Sequence, residues 1–289
     1  MMFLKNIFSV RNSDDKKYKI LTILFFKIKL KNHLECVKQD IFNKIAYTNS
    51  QIFSLFSTLM ACYVHPKTLG KYKGINKGKE VVLVGGGPTV EYFHPIKGVK
   101  YATVNNCCKY DKVKFDYLFL QELHEDGSKN KIANEYNYIN CKKFYGIIPQ
   151  YRLSKIYPTV KLIPQKDFEQ NGVEKYFLDD KFSYKFAYDL TVEPIGDFGG
   201  TIFSAMQFLL WTRPRRIYLV GADCTASKNI FCENQQSFNL AVHINAWKKL
   251  KQFANDIYPD VEIVSINPVG LKGIFKDVYT ESYKEYLDK

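Results

Sequence analysis

The stretch Val81-Val82-Leu83-Val84-Gly85-Gly86-Gly87-Pro88-Thr89 decides the fold. An apolar, β-branched run passes directly into three glycines and then a Pro-Thr pair able to open a helix. That order describes a buried parallel strand ending in a glycine turn. Such a turn lets backbone N–H groups and a helix start approach a phosphate. Gly85, Gly86, Gly87, Pro88 and Thr89 are therefore candidate nucleotide-binding positions. A plain tight turn between strand and helix, with no ligand, is the competing reading.

The residues that follow narrow the ligand class. A dinucleotide site asks for a further glycine in the turn and an acid about twenty residues on, for the ribose. Here Val90 follows Pro88-Thr89, and the next strand, Tyr101-Ala102-Thr103-Val104, ends in Asn105-Asn106. This argues against NAD, FAD and S-adenosylmethionine. No Gly-Lys-Ser/Thr follows the turn, so a P-loop is excluded.

Composition bounds the rest. A chain of 289 residues can bury a full core, and its apolar content of 46% is ordinary. The formal net charge of +13 is not ordinary. Lysine dominates it, in a composition that an AT-rich coding sequence also produces; the remainder favours anionic partners such as phosphorylated donors, acidic glycans or anionic lipid headgroups. No nucleic-acid-binding module is evident, so nucleic acid is not expected as a partner. Seven cysteines, scattered and without a C-x-x-C pair, fit a reduced, cytoplasmic protein. No apolar run reaches the ~20 residues of a membrane-spanning helix.

Along the chain, residues 1–76 read as a basic N-terminal extension and 77–289 as the nucleotide fold. Phe8-Ser9-Val10-Arg11-Asn12 and then Lys16 to Lys31 set lysines on both sides of an apolar core. This is either a short hairpin or a basic-aromatic element lying on an anionic inner-membrane surface. Helical spacing covers residues 33–66, and Lys67 to Lys79 reads as a linker. Beyond residue 80, strands are expected at 81–85, 101–105, 115–121, 143–148, 160–164, 216–222 and 261–267, with helices at 201–212 and 237–257. Strands alternating with helices imply an α/β fold: one Rossmann-like, doubly wound parallel sheet. The polar stretches 122–140 and 165–198 supply loops or a small lid.

Ligands of open α/β sheets bind outside the carboxyl ends of the strands. Those ends are Gly85-Gly86-Gly87, Asn105-Asn106, Gln121 and Gly221-Ala222-Asp223. Gly199-Gly200-Thr201 opens an apolar helix, and His243 lies in the helix ahead of a strand ending at Asn267-Pro268. Among side chains near a site, a histidine can be neutral yet basic near pH 7. A lone histidine is also an ordinary packing residue.

The series GGGPT, VNN, LFLQ, GGTIFSAMQFLL, RRIYLVGAD and a single His ahead of IVSINP resembles the bacterial lipooligosaccharide sialyltransferases of glycosyltransferase family 42. It is also similar to the related motility accessory factors, which glycosylate flagellin. The likeness covers roughly residues 80–270. The leader FSVRN followed by KYKILTILFFKIKLK resembles that of lipopolysaccharide glycosyltransferases.

The resemblance implies a cytoplasmic transferase, peripheral on the inner membrane, that moves a sialic or other nonulosonic acid from a CMP-activated donor to a glycan or glycolipid acceptor. It implies no metal and no further cofactor, and it is compatible with a homo-oligomer. Position by position, Gly85 to Thr89, Asn105 and Asn106 hold the nucleotide, Gln121 supplies an amide near the donor, and Gly200-Thr201 contacts phosphate or sugar carboxylate. Asp223 touches the sugar or caps a loop. His243 takes the proton from the acceptor hydroxyl.

The chain departs from the family in two places. Gly86 stands where the family has Asn, and Thr225 and Phe231 stand where it has two tyrosines that stabilise the leaving phosphate. Thr225 can still donate a hydrogen bond, Phe231 cannot, and Lys228 between them carries a compensating charge. Glu122, His124, Glu125 and Asp126 read as a solvated loop, with a metal site as the competing reading. Trp247 is either a sugar platform or core. A pterin or nucleotide pyrophosphokinase, and a catalytically silent nucleotide-binding module, are the alternative functions.

Overall fold

A computed structural model describes residues 8–14, 18–23, 26–31, 33–121, 140–147, 173–179, 185–225, 229–231 and 240–287. The chain divides into two compact units, Met1–Ile52 and Phe53–Lys289. In the first, β1 (Phe8–Asn12), β2 (Tyr18–Ile23) and β3 (Phe26–Lys31) form an antiparallel sheet in that order, with Val10 paired to Leu21 and Leu21 to Ile28. The lysine–apolar alternation of Lys27-Ile28-Lys29-Leu30-Lys31 has the period of two that strands require. Helix α1 spans His33–Thr68.

The second unit is built on an eight-stranded sheet. In chain order come β4 (Glu80–Val84), β5 (Lys100–Val104), β6 (Tyr117–Gln121), β7 (Lys142–Ile147) and β8 (Val173–Phe177). There follow α2 (Thr201–Trp211), β9 (Arg216–Val220), α3 (Leu240–Ile257), β10 (Glu262–Ile266), β11 (Lys276–Val278) and α4 (Glu281–Leu287). The spatial order is β11-β10-β9-β4-β5-β6-β7-β8, and every pairing is parallel. The expected Rossmann-like sheet is therefore present. The alternate facing of its residues explains why β4 is apolar from Val81 to Val84. Val81 and Leu83 enter a core with α2 and α3, whereas Val82 and Val84 enter a second core on the other face with Ala61 and Val64 of α1.

β4 has β5 on one side and β9 on the other, so the chain leaves its neighbours in opposite directions there. This is the switch point at which α/β sheets open a crevice, and Gly85 stands at its mouth. Two strands went unforeseen. β8 hides behind Glu174 and Lys175, and β11 is three residues long. The expected strand at 160–164 lies outside the described residues, as do 122–139, 165–172 and 180–184 of the expected loops and lid.

Lys67 to Lys79 is not a free linker. Leu69, Tyr72 and Asn76 are buried between its exposed lysines, and the Trp211 indole donates to the Leu69 carbonyl at 3.1 Å. Burial of every third or fourth residue pins the segment against the core. Among the described residues no helix is long and apolar enough to cross a membrane.

Candidate functional site

The glycine turn is shaped by its neighbours. A Cβ on Gly85 would run into the Gly221 carbonyl oxygen, one on Gly86 into the Asn229 side chain, and one on Gly87 into the Asp223 carboxylate. Three glycines are needed because the loop after β9 packs directly on this backbone. The amides are also engaged. Gly85 N–H donates to the Val220 carbonyl at 2.7 Å and Gly87 N–H to the Gly221 carbonyl at 2.8 Å. Thr89 N–H donates to Asp223 Oδ2 at 2.9 Å, and the Thr89 hydroxyl donates to Asp223 Oδ1.

The chain's own carboxylate thus occupies the anion seat at the start of the short 3-10 turn Pro88–Tyr92. Burial raises the Asp223 pKa, and the two Thr89 hydrogen bonds oppose that rise. The amides of Gly85, Gly87 and Thr89, expected to face a phosphate, each donate within the chain. The turn instead offers a wall without side chains beside the switch point.

A second feature brings distant strand ends together. Asn105, at the end of β5, takes the left-handed conformation (φ 45°) that asparagine tolerates better than most residues. Its Oδ1 accepts from the Gln121 N–H at 3.1 Å, and its Nδ2 donates to Thr201 Oγ1 at 2.9 Å. Gln121 Nε2 donates to Asp197 Oδ1 at 2.7 Å. The Asp197 carbonyl in turn accepts from the Gly200 N–H at 3.0 Å. Gln121, Asp197 and Thr201 are all buried, and Gln121 Oε1 has no hydrogen-bond partner among the described residues. A buried acceptor without a partner is costly, and it points to a group that completes it.

His243 closes this arrangement. On the first turns of α3, its ring lies over the glycine pair before α2: a Cβ on Gly200 would come within 3.2 Å of His243 Cε1, and one on Gly199 within 3.7 Å of Nε2. A side chain at Gly200 would press on the ring, whereas one at Gly199 would only touch it. The ring meets Phe203 at 5.7 Å between centroids in an edge-on contact. It is half-buried rather than sealed, and that burial lowers its pKa below 6.5. At neutral pH the imidazole is therefore neutral and able to accept a proton. Gly85 joins the same region, for its Cβ position lies 3.4 Å from Ile202 Cδ1, the residue after Thr201.

Asn105, Gln121, Gly200, Thr201 and His243 are thus one neighbourhood. Asn106 lies next to Asn105 in the 3-10 turn Asn105–Lys109, half-buried and without a hydrogen bond to this group. Thr225 is half-buried in the loop after β9. Phe231 packs on Tyr110 at 6.4 Å, a core contact that accounts for an aromatic residue without a hydroxyl. Trp247 is 1% exposed and packs on Phe203 and Phe275, so it belongs to the core. Lys228 and the Glu122–Asp126 cluster lie outside the described residues.

Strained backbone collects at the same sheet edge. Of the five non-glycine residues described with positive φ, Asn105, Cys224 and Asn267 follow β5, β9 and β10, and Phe198 precedes the glycine pair. Such conformations cost of order 1–3 kcal/mol each and gather at functional sites. Sequence reasoning missed Asp197 and Asn229. The available signal for Asp197 was an acid three residues ahead of Gly200 in Asp197-Phe198-Gly199-Gly200-Thr201.

No protein-family model and no curated protein matches the chain. Among solved structures it is similar to the MAf glycosyltransferase from Magnetospirillum magneticum AMB-1, at 14% identity and a TM-score of 0.43, over 75% of this chain and 38% of that one. It is also similar to the sialyltransferase CST-II, solved in complex with a trisaccharide acceptor and CMP, at 14% identity and a TM-score of 0.37, over 65% of this chain and 80% of that one. The chain thus spans well under half the length of the first of these.

Proposed function

We propose that the second unit is a glycosyltransferase that moves a sugar from a nucleotide-activated donor to a glycan acceptor with inversion. One observation carries this reading: a neutral, half-buried His243 stands over Gly199-Gly200, beside the hydrogen-bonded chain Thr201–Asn105–Gln121–Asp197 at the switch point of a parallel sheet. The acceptor hydroxyl oxygen attacks the anomeric carbon, and its proton passes to the His243 imidazole. The bond from that carbon to the nucleotide phosphate oxygen breaks, and the nucleotide leaves with the electron pair. Gln121 Oε1 accepts from a donor hydroxyl or amide, and the Thr201 helix start and Thr225 face the departing phosphate. The turn at Gly85 to Thr89 walls the nucleotide, with Asp223 held as its brace.

A CMP-activated nonulosonic acid is the donor implied by the sequence resemblance, and a surface glycolipid the matching acceptor. The basic leader in residues 1–32 then serves to hold the enzyme at an anionic membrane surface. A thermal-shift panel of CMP, UDP, GDP and ATP, each with and without magnesium, tests the reading. Stabilisation by CMP without metal is the expected result. A response confined to ATP with magnesium would indicate a pyrophosphokinase, and no response to any nucleotide would make the fold a silent module.

A further inference from the structure

The end of α3 away from His243 borders a cleft of about 700 Å³ that the proposed reaction does not use. That is the size of a small-molecule site. Every side chain lining it belongs to the second unit. Tyr188 gives the cleft an open aromatic ring, 62% exposed, which meets Phe253 edge-on at 5.5 Å between centroids. Asp179, Glu193 and Asp256 stand around it together with Lys185 and Lys249. Each carboxylate is already held by the chain. Asp179 Oδ1 accepts from the Ser54 hydroxyl at 3.2 Å, and Asp256 Oδ1 from Gln252 Nε2 at 2.9 Å. Glu193 Oε2 accepts from the N–H groups of Tyr188 and Asp189 at 2.5 and 2.9 Å.

This lining selects a chemical class. An apolar guest would take water from the charged groups and return no hydrogen bond. A phosphate would face three carboxylates, and a cation would face two ammonium groups. A neutral, polyhydroxylated guest suits both signs at once, because each hydroxyl can donate to a carboxylate and accept from an ammonium. The C–H face of a sugar ring also covers an exposed aromatic ring, whose apolar body and polar tip match it.

We propose that the cleft binds neutral sugar residues, and that these belong to the acceptor glycan; the acceptor role rests on the transferase reading above. The rings of Phe253, Phe186, Phe198, Phe203 and His243 meet in series, at 5.2, 4.2, 5.6 and 5.7 Å between centroids. One packed wall therefore carries both the cleft and the imidazole. Lys249 and Asp256 lie about 9 and 20 Å further along α3 than His243, at about 1.5 Å of rise per residue. A glycan whose reacting hydroxyl stands at His243 reaches the cleft only with sugars beyond its first.

Saturation-transfer NMR on the full chain with lactose, maltotriose and chitotriose, without nucleotide, tests the site. At least one of these sugars is expected to bind. Tyr188→Phe should keep that binding, and Tyr188→Ala should weaken it about three- to tenfold, the worth of one aromatic contact. Tyr188 is exposed, so its removal leaves the core intact, and matching circular dichroism spectra check this. Binding of no sugar overturns the proposal, as does equal binding by wild type and Tyr188→Ala. A response to the tripeptide Gly-Ser-Gly and to no sugar assigns the cleft to a peptide, which also overturns it. The acceptor role is read from turnover with a CMP-activated sialic acid. Tyr188→Ala should raise KM about three- to tenfold more for a trisaccharide acceptor than for a monosaccharide one, and equal changes overturn that role. Sugar binding needs neither donor nor turnover. A chain that binds sugar through Tyr188 yet responds to no nucleotide therefore supports the cleft and sinks only the transferase reading.

Discussion

Asp197 Oδ1 accepts a hydrogen bond from Gln121 Nε2 at 2.7 Å, between a loop and a strand end 76 residues apart in the chain. Because the carboxylate can only accept, it fixes which end of the Gln121 amide it receives and turns Oε1 the other way. Asp197 therefore acts on the site through Gln121. Asp197→Asn removes the negative charge while keeping the shape, and its amide can rotate. Loss of a charge-assisted buried hydrogen bond is expected to lower unfolding stability by about 1.5–3 kcal/mol. Urea midpoints of the two proteins measure this, and identical midpoints would show the bond to be dispensable.

His243→Ala is expected to reduce turnover by roughly 10²–10⁴, the usual contribution of a general base. Nucleotide affinity should stay within about twofold, because the ring stands over the glycine pair rather than in the hydrogen-bonded chain. Comparing kcat with the nucleotide Kd separates the two. Equal turnover in variant and wild type removes His243 from the reaction.

The pH profile gives a second check on the same residue. Burial lowers the His243 pKa below 6.5, so the neutral, proton-accepting form persists into mildly acidic solution. Activity should fall only as pH drops through that lowered value, which places the acid limb of kcat/KM below 6.5. A limb centred above 7 would contradict the half-buried placement.

His65 is a stability group rather than a catalytic one. It is fully buried, its Nε2 accepts from the Phe177 N–H at 2.8 Å, and its Nδ1 lies 3.0 Å from the Glu193 carbonyl. That carbonyl can only accept, so Nδ1 carries the proton and the ring is neutral. Burial lowers its pKa to about 4. The folded pKa lies below the unfolded value near 6.5, so the contribution is complete above pH 6.5 and is lost as pH falls towards 4. The loss amounts to about 3 kcal/mol. Unfolding curves between pH 7 and 4 should show this extra slope in wild type and not in His65→Gln. Parallel curves would refute it.

Gly86→Ala sets a methyl group into the Asn229 side chain, and overpacking of this kind costs about 1–3 kcal/mol. The double variant Gly86→Ala, Asn229→Gly should recover part of that loss, because the obstructing atoms are gone. A melting temperature no higher in the double variant than in the single would show that the clash lies elsewhere.

Much of the sheet was readable from local pattern. β4, β5, β6, β7, β9 and β10 are short apolar runs bounded by turns, and burial on both faces demands that composition. β8 was not readable, since Glu174 and buried Lys175 interrupt its run. Nothing local marks a lysine that the fold buries. In the site, Asn105, Gln121, Thr201 and His243 could be named because each stands at a strand end or a helix start, where the chain rule for parallel sheets places ligands.

The sequence alone determined the alternation of strands and helices, the glycine turn and the lone imidazole, because each follows from residue spacing within one element. Only the tertiary structure decided who meets whom. It placed Asp223 on the Thr89 amide, Asn229 against Gly86 and Asp197 on Gln121. These partners come from separate crossovers, and their pairing is set by strand order and register rather than by anything within reach along the chain.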